Sequence, residues 1–241
     1  MIKRKKNINI TAVILTYNEE LHIGRCIKAL KGFVKEIIVI DSNSNDNTIK
    51  ICKQNKIRIY NNKFINQAKQ MNWALKNVPI KTKWIFRIDA DEIVENSFFN
   101  KVGYLIEYKK NISGILIERK IKFLNKIINY GLTSPHKTLR IWRNGYCKYQ
   151  NLNVDEQAEV KGKIYLSNAI IIDHNLKSFY WWLNKHNDYA RRETKNYFLF
   201  KNKNKTKKIT LNDMSKVKQN KKFSIYYKFP IFIRPVILFL Y

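Results

Sequence analysis

Short apolar runs that end in polar clusters organise the first hundred residues. Ile8 to Thr16 is short, β-branched and followed by Tyr17-Asn18-Glu19-Glu20, the pattern of a buried strand entering a loop. Glu19 to Lys31 places Leu21, Ile23, Ile27 and Leu30 on one side of a helix. Asn18 suits its N-cap, and Gly32 suits the position just past its end. Glu36 to Ile40 reads as a second strand that stops at Asp41. The loop Ser42 to Asp46 leads into a helix from about Asn47 to Asn55. A third strand (Ile57 to Tyr60), a helix (Ile65 to Asn77) and a fourth strand (Trp84 to Ile88, ending at Asp89) complete the series.

Strands that are apolar throughout, rather than alternating, imply a sheet covered on both faces. Their regular exchange with helices predicts an α/β fold with a mostly parallel central sheet flanked by helices. The polar residues gather at the C-terminal strand ends: Thr16 to Glu19, Asp41 to Asp46 and Asp89 to Glu92. In open α/β sheets ligands bind at that edge.

After Ser113 the pattern becomes irregular. Ile115 to Lys122, Thr138 to Trp142 and Ile164 to Ile172 read as strands, and Phe179 to Tyr197 as an aromatic-rich helix. Composition shifts near residue 200, since 201–222 hold nine Lys and a single acid, Asp213. The expected organisation is a domain over 1–200, with a ligand-binding half (1–100) and an acceptor half (101–200). A basic, amphipathic tail follows over 201–241.

The chain has 241 residues, 45% of them hydrophobic and 13% aromatic, which is enough to build a core. Its net charge is +29. Part of that excess is compositional, because Lys, Asn and Ile all have A/T-rich codons. The remaining field attracts polyanions: nucleic acid, anionic lipid or phosphate-bearing substrates. Three scattered cysteines provide neither a disulfide framework nor a zinc site, and they suit a reducing compartment. Neither a secretory signal nor an apolar run of about 18 residues occurs. The apolar stretch Phe229 to Tyr241 ends in mid-pattern, as in a truncated or shortened chain.

The strongest chemical signal is Trp84-Ile85-Phe86-Arg87-Ile88-Asp89-Ala90-Asp91-Glu92. On an extended segment Asp89 and Asp91 point the same way. Two hard carboxylates suit Mg²⁺ or Mn²⁺, which complete their shell with substrate phosphates. Alone, such a pair is more often a solvated turn. At the end of a buried strand, in an acid-poor chain, it reads as a site.

Three segments, Thr16-Tyr17-Asn18-Glu19-Glu20, Val39-Ile40-Asp41-Ser42-x-Ser44-x-Asp46-x-Thr48 and Asp89-Ala90-Asp91-Glu92, occur in that order. Together they resemble family 2 glycosyltransferases of the GT-A (Rossmann-like) fold. Leu139 to Arg143, Val154-Asp155-Glu156, His174 and Trp181 to Glu193 extend the likeness. That wider set is similar to bacterial lipopolysaccharide-core glucosyltransferases.

The resemblance implies a metal-dependent inverting transfer from a nucleotide-sugar donor, a UDP-sugar, to a hydroxyl of a lipid-linked glycan. That glycan would be a lipopolysaccharide core, O-antigen or capsule precursor. Thr16, Tyr17, Glu19, Asp41, Ser42, Gln67, Lys69, Gln70, Asn72, Asp89 and Ala90 would line the nucleotide site. Asp89 and Asp91 would hold Mg²⁺ or Mn²⁺, joined by His174. Glu156 would be the catalytic base. The subgroup carries His where this chain has Asp155, so Asp155 is a second candidate for the base. Arg140 and Arg143 suit either a phosphate clamp or ordinary strand-edge charge.

The tail's basic and apolar residues suit an anionic membrane surface. The expected location is cytoplasmic, peripheral on the inner face of the cell membrane. A polyprenyl-phosphate glycosyltransferase shares the first three motifs. A nucleic-acid-binding protein would account for the charge, but no such motif is present, so no nucleic-acid partner is expected.

Overall fold

The computed structural model describes residues 7–130, 134–150 and 158–204, together with Pro230 and Ile233; for residues 189, 192–193 and 195–204 it describes the backbone alone. Two compact units emerge, Met1–Lys177 and Ser178–Tyr241.

The first unit begins with the expected alternation: β1 (Ile8–Thr16), α1 (Ile23–Leu30), β2 (Val34–Asp41), α2 (Thr48–Gln54), β3 (Arg58–Asn61), α3 (Gln67–Asn77) and β4 (Trp84–Asp89). β5 (Glu92–Val94) and α4 (Phe98–Tyr108) follow. Next come β6 (Ile112–Phe123), β7 (Lys126–Ile128), β8 (His136–Arg143), β9 (Cys147–Tyr149), β10 (Ala158–Val160) and β11 (Lys163–Asp173).

The main sheet runs β3-β2-β1-β4-β8-β6-β11-β5, with β7 pairing β6, and β9 and β10 form a separate pair. The β3-β2-β1-β4 half is parallel throughout, and β6 is parallel to β11. The β4–β8, β6–β8 and β11–β5 pairings are antiparallel.

The unbroken apolar strands are explained by a core on each face. Ala12, Ile14, Val39, Phe86 and Ile88 pack with Ile23, Ile27 and Leu30 of α1 and with Phe98 and Val102 of α4. Val13, Ile38, Ile40 and Ile85 face the other way, against Ala68, Met71 and Ala74 of α3 and against Trp142 and Tyr149.

Two local expectations changed. The first helix starts at Ile23 with His22 at its N-cap, and Asn18 sits in the loop with φ +53°. Asn18 leaves the helix because its side chain accepts the Asn45 N–H at 2.9 Å, tying it to the next loop. Asparagine tolerates that left-handed conformation better than most residues. Gly32, at φ +82°, ends the helix as expected. The sequence pattern also missed α4, whose buried face of Phe98, Phe99, Val102 and Leu105 mixes with exposed Tyr104 and Tyr108.

The second unit opens with α5 (Phe179–Asn204), in which Trp182 stacks on Phe179 with 5.7 Å between ring centroids. Residue 200, where the composition shifts, lies within α5. No described helix is long and apolar enough to cross a membrane.

Candidate active site

Register alone brings the three polar strand ends together: Thr16 lies opposite Asp41, and Leu15 opposite Asp89. The order β2-β1-β4 puts β1 between strands reached in opposite directions, the crevice where open sheets bind ligands.

The loops after β1 and β2 are fastened by side chains at every second position. Ser44 Oγ accepts the Asn18 N–H (2.8 Å), Asp46 Oδ2 that of Glu20 (3.1 Å) and Thr48 Oγ1 that of Glu19 (2.8 Å). The Ser-x-Asp-x-Thr spacing of the motif is therefore a backbone clasp. Asp46 Oδ1 also accepts the Thr48 N–H at 2.9 Å, at the start of α2. These bonds hold the Asp46 carboxyl below its ordinary range, against the upward push of burial.

Asp41 is buried at 1% exposure. Its Oδ1 accepts from Thr16 Oγ1 (2.9 Å) and Ser44 Oγ (2.6 Å), and its Oδ2 from Ser44 N (2.7 Å). Ser42 Oγ accepts from Gln70 Nε2 at 3.1 Å. Gln70 is buried and also accepts from Asn62 Nδ2 at 2.6 Å. Asn72 grips the Tyr149 backbone twice, donating to its carbonyl (2.8 Å) and accepting its N–H (2.9 Å). Asp41, Gln70 and Asn72 thus have protein partners that set the loops, while Tyr17, Gln67 and Lys69 reach solvent. Glu19 is held by Lys177 Nζ at 3.1 Å and by His22 Nδ1 at 2.5 Å.

His22 is fully buried. Its Nε2 accepts the Leu176 N–H at 2.8 Å, so Nδ1 carries the proton given to Glu19.

Around Asp89 and Asp91 the structure adds four arginines. Arg140 Nη2 donates to Asp89 Oδ2 (3.1 Å) and to Glu92 Oε1 (2.5 Å). Arg119 Nε donates to Glu92 Oε1 at 3.1 Å, and its Nη2 to Asp173. Arg87 Nη2 donates to Gln67 Oε1 at 2.7 Å and lies 3.5 Å from Asp89 Oδ1. Arg25 Nη2 donates to the carbonyls of Asp91 (3.1 Å) and His174.

Burial would raise the Asp89 carboxyl, but its side chain keeps 28% exposure. Arg140 and Arg87 therefore win and hold it well below the usual carboxylate range. Glu92, at 1% exposure, is pushed up by burial and by the Asp89 charge, against the pull of Arg140. For Arg140, burial is outweighed by Asp89 and Glu92, which fix its charge.

Asp91 is only partly covered; its Oδ2 accepts from Asn175 Nδ2 at 3.1 Å, and its carbonyl accepts the His174 N–H at 3.0 Å. Ala90 between the two acids is buried. His174 is thus adjacent to Asp91, but its Nδ1 lies 3.1 Å from Arg25 Nη1. Arginine can only donate, so that nitrogen accepts and its lone pair is engaged. Burial, then Arg25, keep the His174 imidazole below its ordinary pKa. Among the described residues no third His, Cys, Asp or Glu completes a metal-binding group. An ionised Asp89 and a partly open Asp91 still fit a hard cation that draws its other ligands from phosphate. Asp155 and Glu156 lie outside the described residues.

Arg140, read from the sequence as a phosphate clamp or strand-edge charge, is instead buried against Asp89 and Glu92. Of the residues that sequence reasoning missed, Arg87 had a legible signal: it interrupts an apolar strand, and a charge inside a buried strand demands a buried partner. Arg25, Arg119 and Asn175 gave no such sign. Arg140 Nε and Nη1, Arg87 Nε and Tyr149 OH are buried with no hydrogen-bond partner among the described residues.

Known proteins bear this sequence likeness out. A glycosyltransferase of Rickettsia typhi is 24% identical over 197 residues, covering 77% of this chain and 67% of its own. The lipopolysaccharide core biosynthesis glycosyltransferase LpsC of Rhizobium meliloti is 28% identical over 149 residues, 58% of this chain and 53% of LpsC. Among solved structures, Staphylococcus aureus TarS 1–349 in complex with UDP-GlcNAc is 16% identical with a TM-score of 0.49, covering 71% of this chain and 60% of that one. The family description of glycosyl transferase family 2 matches residues 11–155, more than half of the chain, and the protein belongs to that family of glycosyltransferases.

Proposed function

We propose that this chain carries out a metal-dependent, inverting transfer of a sugar from a UDP-sugar to a hydroxyl of a lipid-linked glycan. The observation that carries the reading is the meeting of Thr16, Asp41, Asp89 and Asp91 at one sheet edge, in a chain of this family. The name of LpsC supports a glycan of the lipopolysaccharide-core type as acceptor.

In this reading the clasped β1 and β2 loops hold base and ribose, with Tyr17, Gln67 and Lys69 as the side chains open to the ligand. Asp91, with Asp89, would hold Mg²⁺ or Mn²⁺, and His174 would join only if Arg25 released its Nδ1. A divalent cation there would supply Lewis-acid neutralisation of the departing diphosphate. Arg140 and Arg87 keep Asp89 ionised at neutral pH, so the carboxylate needs no deprotonation before use. Glu156, with Asp155 beside it, is the proposed base that takes the acceptor proton as the hydroxyl attacks. One displacement inverts the anomeric carbon, and no covalent enzyme intermediate forms. The domain of 1–200 is proposed to do this chemistry while the basic tail of 201–241 rests on the inner face of the cell membrane.

Calorimetric titration with UDP tests the reading, with Mn²⁺ and then with EDTA. Binding in the micromolar range that needs the metal and is lost in Asp91→Ala is expected. Absence of UDP binding under both conditions overturns the donor assignment.

A further inference from the structure

The β6–β7 hairpin has no part in the chemistry above, yet it presents apolar side chains to solvent. Leu124 is 72% exposed, Ile127 41%, Ile128 36% and Tyr130 92%. Scattered exposed apolar residues need no explanation, but a contiguous group on one projection does.

The tip is also built against local preference. Leu124 and Asn125 have φ of +45° and +64°, the two central positions of a tight turn in which both residues are left-handed. Asn suits such a position, and Leu does not. A strained, exposed leucine at the tip of a projection points to a role for its side chain.

The hairpin is held firmly at its base. Buried Ser134 accepts the Ile121 N–H at 3.0 Å and donates to the Ile128 carbonyl at 2.6 Å. Charge surrounds the apolar tip. Lys122 and Lys126 flank the tip directly; no acid occurs from Arg119 to Lys137, and Arg119 and Lys120 nearer the base are paired with Glu92, Asp173 and Glu118. Lys122 pairs with Ile127, and Lys126 with Phe123, so cations and apolar side chains share the same rungs.

We propose that this hairpin is a docking element for an anionic lipid bilayer, with Leu124, Ile127 and Tyr130 entering the interface and the lysines meeting the headgroups. Apolar side chains beside lysines complement such a surface. A nucleic acid would reward the lysines but leave the leucine and isoleucines exposed to water. The location adds a consequence. Ile121 at the root is paired with Asp173, and Arg119 two residues earlier bonds Glu92 and Asp173. A bilayer on the tip therefore lies roughly 10 Å of strand from the Asp173 rung and about 16 Å from Arg119, which bonds Glu92. That consequence rests on the lipid-linked acceptor proposed above; the lipid contact itself does not.

The test is co-sedimentation of the full chain with phosphatidylcholine vesicles, with and without roughly one third phosphatidylglycerol. The wild type should bind the anionic vesicles strongly and the neutral ones weakly. Leu124→Asn combined with Ile127→Thr and Tyr130→Ser should weaken anionic-vesicle binding about tenfold or more. Tyr104→Ser, which removes an exposed tyrosine elsewhere, should not. Leu124→Asn alone suits the turn, so it should fold at least as well as the wild type and still weaken vesicle binding. UDP titration is run on the same samples. Loss of UDP binding in every protein, with hairpin-dependent vesicle binding intact, overturns the transferase reading and leaves this one standing. Vesicle binding unchanged in the hairpin variants overturns this one. So does hairpin-dependent binding of an RNA oligonucleotide, or hairpin-dependent dimer formation, without vesicle binding.

Discussion

The two halves of the central sheet solve the problem of a polar edge differently. In the parallel half, short neutral and acidic side chains of neighbouring loops clasp backbone N–H groups, as Ser44, Asp46 and Thr48 do for residues 18–20. Those partners are at most 29 residues apart. In the mixed half, the acids at 89–92 are held by charges that arrive from residues 119 and 140. Clasping by hydroxyls and a partly exposed carboxylate costs less desolvation and fixes shape. Burying ion pairs costs much more, and fixes charge. The first region is suited to recognising a ligand, and the second to keeping Asp89 ionised beside a Glu92 that burial pushes the other way.

The comparison can be broken most severely at the charged side. Asp91→Asn should reduce turnover by about 10²-fold or more, since it removes the acid that is not committed to arginine, and stability should change little. Donor consumption and thermal melting measured together check this. Arg140→Met should act the other way round. It leaves Asp89 and Glu92 short of their shared cation, so a loss of about 3–5 kcal/mol in chemical denaturation is expected. Retention of full stability would show that the network does not depend on Arg140.

On the neutral side the effects shrink. Asn72→Ala removes both bonds to Tyr149 and should cost about 1–3 kcal/mol, read by urea denaturation. The imidazole of His174 is held below its ordinary pKa in the folded protein. The unfolded chain therefore takes up that proton first on acidification. His174 accordingly favours folding above the ordinary histidine range, and that contribution is lost as pH falls through it. Melting between pH 7.5 and 5 should show a shallower decline in His174→Asn than in the wild type. The smallest effect belongs to the exposed Arg58–Glu36 pair. Arg58→Ala should change stability by about 0.5 kcal/mol or less, and a larger loss would mean that the edge strand depends on it.

The alternation of β1 to β4 with three helices was legible because β1, β2 and β4 each carry a buried, mainly apolar run that ends in a polar cluster. Helix α4 was not, because exposed Tyr104 and Tyr108 blur its apolar face. β5, β9 and β10 are three residues each, too short to show a period. In the candidate site, the Asp89/Asp91 pair and the loops at 16–19 and 41–48 could be read from spacing. Their engagement could not: the sequence shows Asp41 at a strand end, but not that Thr16 and Ser44 occupy its oxygens.

The sequence by itself determined the local alternation of elements, the edge where polar groups collect and the family to which the chain belongs, because each follows from neighbours along the chain. Only the tertiary structure decided which charges face which. Arg140 meets Asp89 across 51 residues and Arg25 meets His174 across 149. Pairing at those separations is set by strand order and register, and no local pattern encodes either.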